Sequence, residues 1–330
     1  MTDTKTAFVT GGSGFLGRHI IDLLQAEGWQ VTAMNRPGSD IAHLQDRGLT
    51  LVEGDVTDKA SIQAAMPDKV TAVFHAAADT SQWSRNDRRQ DAVNIGGTQN
   101  MVDIALAKQA GRFIHTSSIS AYGCQPGTIT EETESVAAHS RINYERSKYA
   151  AEQVIRDGIT RGLDAVILNP SAIIGPADTN NWARSFFIAR DGGIPGAPSG
   201  ATSMCDVREV AKAHLRAFDR AACGENFLLG GTAVPYRDMM EEISRLVGNE
   251  LNLRPVPAIF LKIFARWNLL VERFTGKEPD ITPEIAFLMS QMQECSCAKA
   301  KAELDYVDRD WRESVRASFD WLVDEGLLVL

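Results

Sequence analysis

Short apolar, β-branched runs alternate with stretches of helical period through the first half of the chain. The runs 6–10 (TAFVT), 30–34 (QVTAM), 49–53, 71–75 (TAVFH), 112–116 (RFIHT) and 164–168 (DAVIL) read as strands. Between them, apolar residues recur at helical spacing over 15–27, 58–66, 91–110 and 142–161. Strands alternating with helices read as βαβ units on a parallel sheet. The expected fold class is therefore α/β, a Rossmann-type doubly wound sheet. A smaller, mostly helical C-terminal domain follows from the later pattern.

That regularity fades after Pro170. Residues 175–203 are rich in Gly, Pro, Asn and Ser, the composition of a loop-dominated cover. A helix at 206–219 and a strand at 226–229 are expected to return to the main sheet. Helices follow at 236–247, 257–274, 283–292, 298–304 and 312–325. The expected division is a nucleotide-binding domain over 1–170, with 204–230 returning to it, and a substrate-binding domain over 171–203 and 231–330.

Composition narrows the class only a little. The 330 residues carry a net charge of −9, which argues against nonspecific nucleic-acid binding. The N-terminus runs straight into a strand, so no signal peptide is expected. The most apolar stretch, 256–274, is broken by Lys262, Arg266, Glu272 and Arg273 and is not read as a membrane span. It packs the second domain, or it lies against a membrane surface or a partner with Lys262, Arg266 and Arg273 facing headgroups. The five cysteines form no C-x-x-C pair, so reduced thiols, no metal site and a cytoplasmic location are expected.

Candidate chemistry begins with Gly11, Gly14 and Gly17, which follow a strand and open the helix that starts at Phe15 and Leu16. In that context they make a phosphate cradle: a tight turn, a close backbone approach and close helix–strand packing. The second strand ends in Asn35 and Arg36, where an NAD site usually carries an acid. Arginine there suits a 2′-phosphate and favours NADPH/NADP+ over NADH. Asp55, with Val56 beside it, either accepts from the adenine amine or caps the next helix, a job for which Asp58 competes.

Tyr144 and Lys148 stand four apart and share a helix face. An ammonium near a phenol stabilises the phenolate and lowers its pKa, so Lys148 is expected to make Tyr144 an acid–base catalyst. Upstream, Thr116, Ser117 and Ser118 end a strand at the carboxyl edge, where doubly wound sheets bind ligands. Either serine could orient a carbonyl oxygen.

With these residues in view, the chain resembles an extended short-chain dehydrogenase/reductase of the NAD-dependent epimerase/dehydratase superfamily. TGGSGFLG is similar to the family's TGxxGxxG, GDVTD to its adenine motif and FHAAA (with Ala76, Ala77 and Ala78) to its HxAA element. VNIGGTQN is similar to the asparagine–glycine–threonine motif, and YERSK to the YxxxK pair. The resemblance selects Ser118 through the Tyr122-Gly123 pair and implies Tyr144 as acid–base. It gives Lys148 a second job on the nicotinamide ribose, and Asn94 a bracing role.

VILNPSAIIGP looks like dihydroflavonol reductases, cinnamoyl-CoA reductases and 3β-hydroxysteroid dehydrogenases, a resemblance that implies Pro170 and Ser171 beside the nicotinamide and Ile173 among the cofactor contacts. ECSCAKAKAELDY resembles the tail of this broader group, its hopanoid-associated bacterial members included. The resemblance implies an NADPH-dependent reductase of an aldehyde or ketone on a hydrophobic small molecule. A nucleotide-sugar epimerase or dehydratase and a sterol oxidoreductase are the alternatives, with a catalytically silent cofactor-binding regulator as a third. Trp83, Tyr122, Trp182 and Phe187 are candidate substrate contacts, and a homodimer through 91–110 and 142–161 is implied by analogy.

Overall fold

A computed structural model describes residues 4–193, 196–249, 251–275, 279 and 281–330. Its centre is a parallel sheet of β1 (Thr6–Thr10), β2 (Gln30–Asn35), β3 (Thr50–Glu53), β4 (Ala72–His75), β5 (Arg112–Thr116), β6 (Ala165–Pro170) and β7 (Asn226–Leu229). The order is β7-β6-β5-β4-β1-β2-β3, every pairing parallel. Successive strands move one way from β1 to β3 and then the other way from β4. The reversal puts a crevice at the carboxyl ends of β1 and β4, where such sheets take ligands.

The strands read as near-continuous apolar runs because helices cover both faces. Helix Phe15–Ala26 buries Ile20, Ile21 and Leu24 on one side, together with helix Val207–Arg220. On the other side Met101, Val102 and Ile155, from helices Gly97–Ala107 and Asn143–Thr160, pack on Phe8, Val73 and Phe113.

Two expectations need correction. The single helix expected over 91–110 is an α-turn at Asp87–Asp91, a π-helical turn at Ala92–Gly96 and an α-helix at Gly97–Ala107. The extra residue per turn falls on Asn94, which is buried and uses its whole amide. Its Oδ1 accepts from Asp79 N at 2.8 Å, while its Nδ2 donates to Asp79 O and to Ser147 Oγ, both at 3.0 Å. Such π-turns sit mostly at functional sites. The helix expected over 283–292 stops at Leu288, and Met292–Cys295 is a strand. It joins a second, smaller sheet with Thr128–Ile129, Ala172–Ile174, Ala201–Asp206 and Ala233–Pro235. A separate apolar cluster surrounds this sheet and unites Phe186, Met239, Ile243, Val315 and Phe319.

Candidate active site

At the sheet's switch point a cleft of about 390 Å³ is lined by Gly11, Ser13, Gly14, Asn35, Arg36 and Ser39 on one side and by Val56, Ala76, Ala77 and Ala78 on the other. Gly11 has φ +76°, and a Cβ there would sit 2.7 Å from the backbone of Ala76 and Ala77. A Cβ at Gly17 would lie 2.0 Å from the Gly11 carbonyl oxygen. Only glycine lets the turn press against both β4 and its own helix. Helix Phe15–Ala26 begins at Gly14 with no side-chain cap and no acid in its first turn, so its amino-terminal N–H groups are left to an anion.

Asn35 adds a second sign of a ligand, because its Oδ1 is buried with no hydrogen-bond partner among the described residues. The Arg36 guanidinium stands at the rim with no partner among the described residues. Cradle, open helix end and unpaired amide together fit a dinucleotide. Asp55 turns one carboxylate oxygen to Thr57, accepting from its N–H and its hydroxyl at 2.8 Å each. Asp58 caps helix Lys59–Ala65, which frees Asp55 from the capping job.

The Ser118 hydroxyl lies near enough to the Tyr144 phenol, on the β5–β6 side of the crevice, to act on its pKa. Ser118 Oγ also accepts from Ser120 N at 3.1 Å and thereby caps the turn Ile119–Tyr122. Ser117 points the other way, donating to Glu152 Oε1 at 2.5 Å. Glu152 Oε1 also accepts from Asn169 Nδ2 at 2.6 Å, and that amide donates at 3.1 Å to the carbonyl of Ser118. Glu152 is missed by motif reasoning, although its spacing of four from Lys148 on the helix that carries Tyr144 is a usable signal.

Lys148 is buried and donates to the Thr116 carbonyl at 2.9 Å. Burial lowers its pKa to about 8, against the pull of the Glu152 carboxylate. The expected lowering of the Tyr144 pKa is not found. Burial pushes that phenol above its ordinary value and Asp79 adds to the rise, with the nearby Ser118 hydroxyl opposing. The Lys148 ammonium donates to a backbone carbonyl and does not offset the cost of taking a phenolate out of water.

Burial also keeps the surrounding histidines neutral. His75 is lowered to about 3, with the Lys148 charge adding to the effect, and its ring bridges Thr10 at 2.7 Å and Thr98 at 3.2 Å. His214 is lowered to about 4 and meets Thr116 Oγ1 at 2.8 Å. Below β6, Ser171 donates to Ser203 O at 2.6 Å, and Ile173 pairs with Cys205. Pro170 ends β6 immediately before them.

The candidate substrate contacts divide. Trp83 lies just beyond Asp79 and Thr80, which line the cleft, with Arg85 over its ring. Trp182 and Phe187 instead pack on the second core, and Tyr122 accepts from Asn226 Nδ2 at 2.6 Å within a small apolar cluster. None of these three lines the cleft described above.

A parallel sheet with an uncapped glycine cradle at its switch point, and a serine–tyrosine pair beside a buried lysine, defines a nicotinamide-dependent dehydrogenase or reductase. The chain belongs to the NAD dependent epimerase/dehydratase family, which matches residues 7–230. It is similar to the Methylococcus capsulatus sterol demethylase protein B, with 28% identity over 98% of this chain and 100% of the relative. A 2-alkyl-3-oxoalkanoate reductase of Stenotrophomonas maltophilia is 29% identical over 91% of this chain and 93% of its own. The crystal structure of gox2253 superposes with a TM-score of 0.85 at 27% identity, covering 99% of this chain and 100% of that one. The protein is therefore an NAD(P)-dependent oxidoreductase acting on an alcohol or carbonyl group of a small molecule.

Proposed function

We propose that this protein reduces the aldehyde or ketone carbonyl of a hydrophobic small molecule with NADPH. The observation that carries the reading is the nearness of Ser118 to Tyr144 at the sheet's carboxyl edge, in a fold with an uncapped cradle rimmed by Arg36. Gly11, Gly14 and the helix amino terminus would hold the pyrophosphate, and Arg36 with Ser39 the 2′-phosphate. Lys148 would hold the nicotinamide ribose, with Pro170, Ser171 and Ile173 along the ring. Bound NADPH supplies a hydride to the carbonyl carbon. Ser118 orients the carbonyl oxygen, and Tyr144 gives it the proton that completes the alcohol.

A phenol held protonated by burial suits that direction, because it donates to an oxygen as negative charge develops there. The relatives named for a sterol and for an alkyl oxoalkanoate support an apolar substrate. On this reading the second core and its covering helices form the substrate domain, and a homodimer through the helices at 97–107 and 143–160 belongs to the same proposal.

The test is a panel of aliphatic and aromatic aldehydes, ketones and oxosteroids, followed by loss of NADPH absorbance. Turnover of an apolar carbonyl, abolished in Tyr144→Phe with NADPH affinity kept within a few-fold, is the expected result. Tightly retained cofactor with no net consumption, and isomerisation of a sugar nucleotide instead, would overturn it.

A further inference from the structure

Helix Ala258–Thr275 exposes a run of large apolar side chains that the oxidoreductase chemistry does not use. Ile259, Phe260, Ile263, Phe264 and Trp267 are 58%, 60%, 57%, 51% and 63% exposed. Their spacing of one, three, one and three places them on one face. The opposite face is seated: Leu261 and Ala265 pack on Ala286, and the buried Glu272 pairs with Arg85 at 2.6 Å. The helix is thus anchored to the body, and its apolar stripe has no cover among the described residues. A contiguous patch of this kind marks an interaction site.

We propose that this face seats in the interfacial layer of an anionic lipid bilayer. Charge selects the occupant. The helix sequence holds Lys262, Arg266 and Arg273 against one acid, Glu272, and that acid is turned inward to Arg85. The side chains of Lys262 and Arg273 lie outside the described residues, so the count is one of sequence. A positive helix on a chain of net charge −9 is a local reversal. A second copy meeting this face across a two-fold axis would bring together two helices of like net charge. Anionic headgroups neutralise them while the acyl boundary takes the phenylalanines and the tryptophan. Among the described residues no helix is long and apolar enough to cross a membrane, so the helix lies along the surface.

Placement gives the contact a use. Thr282, just beyond this helix, donates to Gln82 O at 2.7 Å, and Arg85 belongs to the same loop. That loop continues from Asp79 and Thr80 on the rim of the cofactor cleft. Docking the helix brings the rim of the site to the lipid surface. This holds whatever the substrate proves to be.

The test is co-sedimentation of the full chain with vesicles of phosphatidylcholine alone or mixed with phosphatidylglycerol. The wild type should bind the mixed vesicles more tightly, and less so as salt is raised. Arg266→Gln should weaken binding to mixed vesicles about fivefold, the factor expected for one basic side chain at such a surface. Phe260→Ser with Trp267→Ser should weaken it at least about tenfold with unchanged thermal unfolding. A wild-type protein that stays in the supernatant with both vesicles overturns the proposal without recourse to any variant. So does a double variant that binds as well as the wild type, or a wild-type dimer that the double variant splits into monomers.

Discussion

Ser117 and Glu152 lie 35 positions apart and are joined by a hydrogen bond of 2.5 Å deep under the active-site edge. Glu152 gathers Ser117 and Asn169, and Asn169 holds the carbonyl of Ser118, so a carboxyl outside the motif fixes where the serine of the site can point. Replacing Glu152 with Ala leaves two buried donors without an acceptor, a loss of about 2 kcal/mol in stability. The expected kinetic result is a fall of about tenfold in kcat with little change in KM for NADPH. Glu152→Gln keeps an acceptor oxygen and should recover most of both. Steady-state kinetics with denaturant melts decide it, and an unchanged kcat in the alanine variant removes the positioning role.

The two adjacent serines should separate cleanly on mutation. Ser118→Ala removes the hydroxyl that acts on Tyr144 and should lower kcat about 100-fold, as loss of one donor at a developing oxyanion does. Ser117→Ala should act on stability and leave kcat within a few-fold. The reverse ranking in kcat would exchange their roles.

Lys148 makes a pH prediction whose sign is set by burial. Its pKa falls from 10.5 to about 8 in the folded protein, so between those values the unfolded chain binds more protons. Stability therefore rises with pH across that window, and at neutral pH the buried ammonium costs the fold about 3 kcal/mol. Lys148→Met should lack this rise. Denaturant midpoints from neutral pH to about pH 10 should show the wild type gaining on the variant, while turnover is lost in the variant throughout. Parallel curves would reject the depressed pKa.

Much of this was legible because it is local. The strands at 6–10, 112–116 and 226–229 fall where their apolar runs lie, and the glycine cradle is read from spacing alone. What escaped depends on partners far away in the chain. Adjacent strand-end residues face opposite ways, so choosing between Ser117 and Ser118 from local sequence needs Glu152. The sign of the Tyr144 pKa shift depends on how completely other segments exclude water. The strand Met292–Cys295 shows no alternation and exists because it pairs with Thr128–Ile129 and Ala201–Asp206. Aromatic type alone did not show that Trp182 and Phe187 pack against the second core or that Tyr122 accepts from Asn226.

Gly17→Ala tests the cradle through its packing. The added methyl would meet the Gly11 carbonyl oxygen at 2.0 Å, and both partners are backbone, so neither can turn aside. The cost should be about 3 kcal/mol or more. Thermal unfolding should start lower, and NADPH should no longer raise it as it does for the wild type. A variant that keeps both the melting point and the NADPH-induced shift would mean the turn is not pressed against the helix.

Arg36 decides between the two nicotinamide cofactors. It follows Asn35 at the end of β2, shares the cleft rim with Ser39 and has no side-chain partner among the described residues to hold it elsewhere. A charge-assisted contact to a 2′-phosphate is worth about 1.5–3 kcal/mol, or roughly 10- to 100-fold in affinity. Arg36→Ala should raise KM for NADPH by that factor, leave KM for NADH nearly unchanged and lower the salt sensitivity of NADPH binding. Arg36→Asp should go further and favour NADH, because an acid at that place repels the phosphate and accepts from a ribose hydroxyl. If both variants keep the wild-type preference, the 2′ position is recognised elsewhere and the assignment of NADPH loses its footing, while the serine–tyrosine chemistry proposed beyond the end of β5 is untouched.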